Sequence, residues 1–342
     1  GEADPERAVQ ATATATFAAA KPGLWISPGK WLAGEVHVID IGLGPIEDAT
    51  VGLLGSAVLA ELPARGPAST KFSSGHVLVA GGSRGLTGAP CLASMAAARA
   101  GAGYVTALVP AELQDIFEIR LLEVMTRGLP GVHGAHTAWG VGGVLELTDR
   151  GGALVLGPGA GRTPGAVAFL RGVAARADVA LVLDADGLNA HAGQLADVSA
   201  RDAPTVLTPH AGELARLLGT DSAAIAAQRL RHAREAAAAA QAIVVLKGDD
   251  TLVAVPDGRV AVSRGGAPAL ATAGTGDVLS GVIGAYLAVG LDPFTAACAG
   301  VQAHLVAGRR APARFDPPAP AGVIASDVVE ALPAAVAAEL DR

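Results

Sequence analysis

Short runs of Val, Leu and Ile recur along the chain and alternate with alanine-rich stretches of helical length. Most of these runs are continuously apolar, which is typical of parallel strands that are covered on both faces. The pattern therefore predicts an α/β fold with a mostly parallel central sheet and helices on both faces. The predicted strands are residues 36–41, 77–80, 104–109, 153–156, 180–183, 205–207, 243–246 and 251–255, and the predicted helices are 89–100, 163–177, 222–241 and 275–289.

Five of the predicted strands end in clusters of glycine and polar residues, with a hairpin expected at residues 249–258. Because the carboxyl ends of parallel strands meet at one edge of an open sheet, these clusters predict a ligand crevice there. In chain order, the clusters are GGSRGLTG, GPGAGR, DADG, TPHAGE and KGDDT.

The segment Ala273-Gly274-Thr275-Gly276-Asp277 opens the apolar helix predicted from residue 275. Its glycines let the backbone approach a phosphate, and a helix N-terminus offers unpaired N–H groups to that phosphate. Asp277 would then be close enough to act on a group that attacks the phosphate. The alternative is an aspartate that only caps a helix behind a glycine turn; the neighbouring motifs favour the functional interpretation.

Other strand ends carry weaker signals. Lys247 is a candidate phosphate ligand within Lys247-Gly248-Asp249-Asp250-Thr251, although a hairpin turn with a solvated lysine is the favoured interpretation of this stretch by itself. The run GPGAGR, which ends at Arg162, suits a phosphate cradle and a plain strand–helix turn about equally well.

Three further groups of polar residues are candidate ligand or metal sites, and each can also be explained without a ligand. Asp184 and Asp186 suit Mg²⁺ bound through water, or ribose hydroxyls, but such pairs are also common as solvated caps. His210 is a candidate hydrogen-bond partner for a ligand, whereas Glu213 fits a capping role. The histidines at 133 and 136 lack a nearby cysteine or carboxylate, so a zinc site is not expected.

Composition narrows the possible functions. The 342 residues include 51% hydrophobic but only 3% aromatic residues, which predicts a core of small side chains and favours oligomerisation to bury more surface. A net charge of −7 argues against a general nucleic-acid binder. The N-terminus shows no secretory signal, and the apolar stretches are too short to span a bilayer. Together with a content of only two cysteines, this predicts a cytoplasmic protein with free thiols.

In their order and spacing, seven motifs resemble those of the ADP/ATP-dependent NAD(P)H-hydrate dehydratases, a branch of the ribokinase-like superfamily. The motifs are KFSSGHVLVAGGS, GAGYV, GPGAGR, DADGLN, TPHAGE, LKGDDT and TAGTGDVLSG. The resemblance covers roughly residues 65–340. One departure is Ala211, where the family usually has proline; alanine is tolerated at a helix start.

The resemblance implies a set of site residues. Those expected at the hydrated nicotinamide nucleotide are Ala89, Gly157, Gly159, His210 and Asp277, the last as the catalytic base. Those expected at the adenine nucleotide lie within residues 267–276 and in the loop after the strand at 243–246; they are Lys247, Gly248, Asp249, Asp250, Thr251, Ala273, Gly274, Thr275 and Gly276.

The resemblance also implies the reaction. A phosphoryl group passes from ADP or ATP, with Mg²⁺ expected, to the C6 hydroxyl of NADH-hydrate or NADPH-hydrate; phosphate then leaves and the reduced nucleotide is restored. The family further suggests a homo-oligomer, for example a tetramer. Which nucleotide is the donor, and which hydrate is preferred, stay open.

The first part of the chain differs from the rest. Residues 11–46 look like the end of an NAD(P)H-hydrate epimerase domain, which predicts three parts: a remnant at 1–46, a linker at 47–66 and the dehydratase domain at 67–342. A remnant with one strand is expected to pack as an appendage or to be loosely ordered, and to have no epimerase activity of its own.

Two other functions remain as alternatives. A ribokinase-like kinase of a vitamin precursor would share the Gly-Thr-Gly-Asp motif but gives no reason for GPGAGR, DADGLN and TPHAGE. A non-catalytic nucleotide-binding regulator on a degenerate kinase fold is disfavoured because Asp277 and Lys247 are both present.

Overall fold

A ten-stranded sheet forms the centre of the computed structural model, which describes residues 7–44 and 48–340. Neighbouring strands are parallel except at the strand Leu252–Ala254, which runs antiparallel to both of its neighbours, so the mostly parallel sheet and the hairpin are confirmed. From edge to edge, the strands are β3 (Val51–Leu53), β14 (Val260–Val262), β13 (Leu252–Ala254), β12 (Ile243–Leu246), β11 (Thr205–Leu207), β10 (Ala180–Leu183), β9 (Ala153–Leu156), β4 (His76–Ala80), β5 (Tyr104–Pro110) and β6 (Met125–Leu129).

Helices cover both faces of the sheet, as predicted, and each face has its own apolar core. One core is built from α2 (Gly88–Arg99), α3 (Gln114–Arg120), α11 (Thr275–Ala288), α12 (Pro293–Arg310) and α13 (Ala325–Leu340). The other is built from α4 (Val141–Thr148), α5 (Pro164–Arg176), α6 (Asp186–Ala190), α7 (Leu195–Ser199), α8 (Ala211–Leu218), α9 (Ser222–Ala227) and α10 (Arg229–Ala240).

The central strands divide their side chains between these two cores. Val155 and Val182 face the α11 side, whereas Leu154, Leu156 and Leu181 face the α5 side, and all five are fully buried. Because successive side chains of a strand point to opposite faces, a continuous apolar run fills both cores at once. The sequence pattern and the architecture therefore agree.

Glycines let α11 lie directly on the sheet and on α2. A Cβ at Gly284 would come within 2.6 Å of the Val155 side chain, and one at Gly281 within 2.1 Å of the Ala93 carbonyl oxygen. Since neither position has room for a side chain, the helix axis lies close to its neighbours. This packing fixes the start of α11 above the carboxyl edge of the strands.

Residues 7–44 contain a two-stranded sheet that is separate from the central one. Strands β1 (Ala13–Phe17) and β2 (Glu35–Ile39) pair in parallel, with α1 (Lys30–Ala33) between them in the chain. The sequence predicted a single strand here, at residues 36–41, within a segment expected to pack as an appendage or to be loosely ordered. Instead there are two, and β2 is mostly exposed.

Part of the stretch predicted as a linker belongs to the main fold. Val51–Leu53 is the edge strand β3, and the 3₁₀ helix Ser56–Glu61 follows it with Leu59 fully buried. The predicted boundary at residues 46 and 47 falls outside the described residues.

Two other elements differ from the sequence prediction. The helix expected at 222–241 is interrupted at Gln228, whose φ of −134° and ψ of 51° are not helical, so α9 and α10 are separate helices. Strand β6 was not predicted, and a small hairpin of β7 (Gly131–Val132) and β8 (Ala135–His136) follows it.

Across the described residues, the helices are too short or too polar to cross a membrane.

Candidate functional site

The strand order reverses between β4 and β9, and two glycine-rich loops meet at that point. β4 is followed in the chain by its neighbour β5 on one side, whereas β9 leads to β10 on the other. The N–H of Gly82 donates to the Pro158 carbonyl oxygen at 2.9 Å, and the Ser83 hydroxyl donates to that of Gly159 at 2.9 Å. Such a switch point in an open α/β sheet is where ligands bind.

Glycine is required at two positions of the loop after β9. Gly157 has a φ of +119°, and a Cβ there would lie 2.1 Å from the Asp184 carbonyl oxygen. Gly159 has a φ of +61°, and a Cβ there would lie 2.4 Å from the Leu86 carbonyl oxygen and 3.3 Å from the Ala89 Cβ. The predicted residues Ala89, Gly157 and Gly159 are therefore neighbours.

The N-terminus of α11 reaches the same crevice. Gly274 precedes the helix with a φ of +90°, and the hydroxyl of Thr275 donates to the carbonyl oxygens of Leu270 and Thr272 at 2.8 and 2.9 Å. These bonds fix the turn, so that Gly276 and Asp277 lie in the first turn of the helix. A Cβ at Gly276 would be 3.3 Å from the Nζ of Lys247, which brings the end of β12 and the start of α11 together.

Four charged side chains converge here from four different elements. The Nζ of Lys247 lies 3.1 Å from Asp184 Oδ1 and 3.8 Å from Glu213 Oε2. Asp184 is almost fully buried and also accepts a 2.7 Å hydrogen bond from the Thr208 hydroxyl. Asp277 interacts electrostatically with this group, so one ammonium is shared among three carboxylates.

This environment changes the ionisation of Asp277. Burial is the main cause that raises its pKa to about 7, and the negative charge of Asp184 adds to it, while Lys247 opposes the rise. For Lys247, burial disfavours the charged form, yet the neighbouring carboxylates outweigh it and raise the pKa. A carboxyl group with a pKa of about 7 and a permanent ammonium beside it suit proton transfer near neutral pH.

His210 lies at the N-cap of α8 and is half exposed. Its Nδ1 accepts hydrogen bonds from the N–H groups of Gly212 and Glu213 at 3.0 and 3.3 Å, and Glu213 in turn accepts from the His210 N–H at 2.9 Å. Burial lowers the pKa of His210, so the ring is neutral and carries its proton on Nε2. The expected capping role of Glu213 is confirmed, and the Nε2 of His210 lies 3.6 Å from Glu213 Oε1.

A cavity of about 300 Å³ adjoins this cluster between the loop after β12 and the start of α11. Its lining combines polar groups, among them Lys247 and Thr275, with mainly aliphatic side chains such as Leu270 and Leu279. The size and this mixed lining suit a nucleotide. The lining residues are Lys247, Gly248, Asp249, Thr251, Ser263, Ala267, Pro268, Leu270, Ala271, Thr275, Gly276, Leu279, Val301, His304 and Leu305.

Not every residue predicted for the nucleotide site lines this cavity. Ala273 and Gly274 lie just before its wall, and Asp250 is turned away. The Asp250 carboxylate is almost fully buried, accepts a 3.1 Å hydrogen bond from Arg229 Nε, and is bonded by Ser27. In this structure the Asp250 carboxylate is therefore bonded to protein groups on both sides.

The two aspartates considered for Mg²⁺ have separate partners. Asp184 pairs with Lys247, whereas Asp186 accepts hydrogen bonds from the Gly161 N–H and from Arg162 Nε, both at 2.9 Å. Within residues 7–44 and 48–340, no cluster of three or more His, Cys, Asp or Glu side chains is arranged to hold a metal ion.

The sequence missed some of the site. His304 of α12 lines the cavity, its Nε2 has no hydrogen-bond partner, and burial lowers its pKa to about 4. A polar residue within the apolar stretch at 296–307 was the available signal. The association of Asp184 and Glu213 with Lys247 was also not foreseen, because it depends on the order of the strands.

Comparison with known proteins identifies the family. The family model for NAD(P)H-hydrate dehydratase matches residues 77–333. A bifunctional NAD(P)H-hydrate repair enzyme from Moorella thermoacetica is 42% identical over 309 residues, or 89% of this chain and 58% of the relative. An ADP-dependent (S)-NAD(P)H-hydrate dehydratase from Xanthomonas campestris is 37% identical over 255 residues, or 75% of this chain and 86% of the relative.

Solved structures agree with the sequence matches. The crystal structure of the ADP/ATP-dependent NAD(P)H-hydrate dehydratase from Bacillus subtilis, co-crystallised with ATP and Mg²⁺, superposes with a TM-score of 0.68 at 29% identity, over 82% of this chain and 96% of that one. A ribokinase-like superfamily protein from Enterococcus faecalis shares the fold with a TM-score of 0.71 at 24% identity, over 86% of this chain and 99% of that one. The chain spans about three-fifths of the length of the bifunctional relatives. This chain has the ribokinase-like fold and belongs to the NAD(P)H-hydrate dehydratase family.

Proposed function

We propose that this chain restores hydrated NADH and NADPH by nucleotide-dependent dehydration. The observation that carries the proposal is the position of Asp277 at the start of α11, between a nucleotide-sized cavity and the glycine loops that follow β4 and β9. A base at that junction is next to both reactants. The hydrated ring would lie against Ala89, Gly159 and His210, and the nucleotide would fill the cavity.

The first step is phosphoryl transfer. The C6 hydroxyl of the hydrate attacks the terminal phosphorus of the nucleotide, a new O–P bond forms, and the bond to the leaving phosphate of the nucleotide breaks. Asp277 takes the hydroxyl proton. The N–H groups at the start of α11 and the ammonium of Lys247 stabilise the negative charge on the transferring group.

The second step is elimination. Phosphate leaves C6 with the bonding electron pair while the lone pair of the ring nitrogen forms a double bond to C6. Loss of a proton from C5 then moves that double bond to C5–C6, which restores the dihydropyridine. Phosphorylation is needed because hydroxide is a poor leaving group, whereas phosphate is a good one.

The remaining partners follow from the same site. ADP and ATP both fit a cavity that recognises the shared adenosine and adjacent phosphate, and Mg²⁺ enters the proposal only as the counter-ion carried by the phosphates. We place the chain in a reducing, cytoplasmic compartment because Cys91 and Cys298 are buried free thiols. We also propose that it forms a homo-oligomer.

The proposal includes the domain assignment. The match to the bifunctional repair enzyme of Salinibacter ruber, at 40% identity, covers 97% of this chain and therefore extends into residues 1–46. This extent supports the assignment of that segment to the end of an epimerase domain.

One experiment tests the activity. Hydrated NADH is incubated with the purified chain and either ADP or ATP, and the absorbance of reduced nicotinamide is followed. We expect the absorbance to return with at least one nucleotide and not without it. Phosphorylation of vitamin alcohols with no return of absorbance would instead indicate a small-molecule kinase, and nucleotide binding without any turnover would indicate a regulator.

A further inference from the structure

The helical part of the N-terminal segment is docked on the main domain beside the nucleotide cavity. Ile26 is buried in the same core as the strands, and the guanidinium of Arg264 lies 5.6 Å from the centre of the Trp25 ring. Arg264 follows Ser263, which lines the cavity. Residues 25–30 therefore contact the wall of the proposed nucleotide site from outside.

The first of two polar contacts is made by Ser27. Its N–H donates to Asp250 Oδ2 at 2.8 Å and its hydroxyl donates to Asp250 Oδ1 at 3.0 Å. The same carboxylate pairs with Arg229, whose guanidinium donates to the carbonyl oxygens of Leu246, Lys247 and Asp250 at 3.3–3.4 Å. Ser27 thus completes a buried network that holds both ends of the loop after β12.

The second contact is made by Lys30. Its ammonium forms an ion pair with Asp249 and donates to the Arg264 carbonyl oxygen at 3.1 Å. Asp249 also accepts a 2.7 Å hydrogen bond from the Gly266 N–H. Through Asp249, Lys30 joins the loop after β12 to the loop after β14, and these two loops form one side of the cavity.

Charge gives Lys30 a second effect. Asp249 lines the cavity, and although burial opposes it, the hydrogen bonds from Lys30 and the Gly266 N–H lower the pKa of its carboxyl. A carboxylate there repels the phosphates of a nucleotide. The side chain of Lys30 is only 16% exposed, so its charge is held against that carboxylate rather than dispersed in solvent. The ion pair neutralises the repulsion while it fixes the loop.

We infer that Ser27 and Lys30 are positioning residues of the adenine-nucleotide site. They hold the loop at 247–251 in the shape that receives the nucleotide, although they belong to a segment outside the dehydratase family match at 77–333. This inference rests on the proposed use of an adenine nucleotide. Ordering a binding loop in advance increases affinity because less conformational entropy is lost on binding.

The test compares nucleotide binding with hydrate binding in matched variants. Lys30→Ala removes the ion pair, Ser27→Ala removes one hydroxyl, and Lys30→Arg is the conservative rescue. The control is Lys21→Ala, because Lys21 belongs to the same segment but donates only to the carbonyl oxygens of Phe17 and Ala19. Titration calorimetry with ADP and with ATP gives the Kd for each, and steady-state assays give KM for the nucleotide and for hydrated NADH.

We expect the nucleotide Kd to rise about tenfold in Lys30→Ala and about threefold in Ser27→Ala, with Lys30→Arg and Lys21→Ala close to the wild type. The KM for hydrated NADH is expected to stay within about twofold of the wild-type value. A general loss of structure would instead raise the KM values for both the nucleotide and hydrated NADH. Should Lys30→Ala fail to fold, Ser27→Ala decides the outcome by itself.

Unchanged nucleotide Kd values in both alanine variants overturn the inference. If the wild type binds ADP or ATP but does not restore hydrated NADH, the proposed activity fails while the calorimetric comparison still decides the role of Ser27 and Lys30. If the wild type binds neither nucleotide, the proposed function and this inference fail together.

Discussion

At the scale of single residues, the site depends on a balance of charges around Asp277. Three carboxylates share the ammonium of Lys247, and burial makes ionisation of Asp277 unfavourable. A group kept protonated at mildly acidic pH and ionised just above neutrality is a proton acceptor ready for use. The sequence indicated Asp277 by its place in the Gly-Thr-Gly-Asp motif, but its raised pKa depends on side chains distant in the chain.

The role of Asp277 is tested by Asp277→Asn, which keeps the size of the side chain and removes the base. We expect turnover to fall by about a hundredfold or more, the usual scale for a lost general base, with nucleotide binding retained. Steady-state kinetics with a parallel binding titration measure both. Near-normal turnover, or an unfolded variant, would mean that Asp277 serves only as a structural cap.

The same substitution has a predictable effect on stability. The pKa of Asp277 is about 7 in the folded chain and lies near 3.8 when the side chain is unperturbed, so ionisation costs folding free energy. The cost is absent below about pH 4, grows between pH 4 and 7, and is complete above pH 7. We therefore expect Asp277→Asn to melt about 2–4 °C above the wild type at pH 8 and at the same temperature near pH 4. Thermal unfolding at both pH values checks this, and a variant less stable at pH 8 would contradict it.

The pH dependence of turnover reports the charge balance directly. Because the unprotonated form of Asp277 is the active one, kcat should rise with pH around a midpoint near 7. Asp184→Asn removes a negative charge that raises this pKa, while the amide oxygen still accepts from Thr208. We expect the midpoint to move about one unit lower. A profile measured from pH 5 to 9 gives both midpoints, and an unshifted midpoint would exclude Asp184 as a cause.

At the scale of elements, the position of the base is set by how closely α11 packs. Gly281→Ala puts a methyl group 2.1 Å from the carbonyl oxygen of Ala93, so α11 and α2 must move apart. We expect a loss of about 1–3 kcal/mol in the free energy of unfolding and a fall in kcat larger than the change in nucleotide KM. The control is Gly142→Ala, where a Cβ meets nothing within 4 Å. Equal effects of the two substitutions would show that this contact does not position the helix.

The central strands of the sheet were predictable from the sequence, whereas several strands at its edges and outside it were not. Strands β4, β9, β10 and β12 are continuously apolar because both of their faces are covered by helices. Their hydrophobic runs could therefore be recognised in the sequence as buried strands. Strands β1, β3 and β6 lie outside the sheet centre and consist of short or partly polar sequences, such as ATATF and MTRGL, that carry no such pattern. The break at Gln228 has no sequence signal that we recognise.

The parts of the site that come directly after predicted strands could be predicted from the sequence. The glycine loops, the start of α11 and Lys247 come together because parallel strands end at one edge. The orientation of Asp250 could not be read in this way, since it depends on Arg229 and on Ser27, which is more than two hundred residues away in the chain. Long-range partners of this kind require the tertiary structure.

At the scale of the whole molecule, the exposed apolar side chains are not in the two apolar stretches that the sequence suggested as an oligomer interface. The stretches at 278–291 and 296–307, which motivated the expectation of an oligomer, are mostly buried within the chain, in α11 and α12. One group of exposed apolar side chains instead lies in and just after α3, up to the edge strand β6. Ile119, Leu122 and Met125 are 79%, 86% and 51% exposed. A group of exposed apolar side chains close together in the chain is a candidate interface.

We therefore predict that a homo-oligomer forms through this α3–β6 face. Ile119→Asp combined with Leu122→Asp adds two charges to the face, which should dissociate the assembly to the 33.7 kDa chain because desolvating unpaired carboxylates is unfavourable. Leu43→Asp is the control, since Leu43 is 72% exposed on the N-terminal segment and should leave the assembly intact. Sedimentation equilibrium at micromolar concentration measures the mass of each. A wild-type mass equal to the single chain would rule out the oligomer, and an unaltered oligomer in the double variant would place its interface on another face.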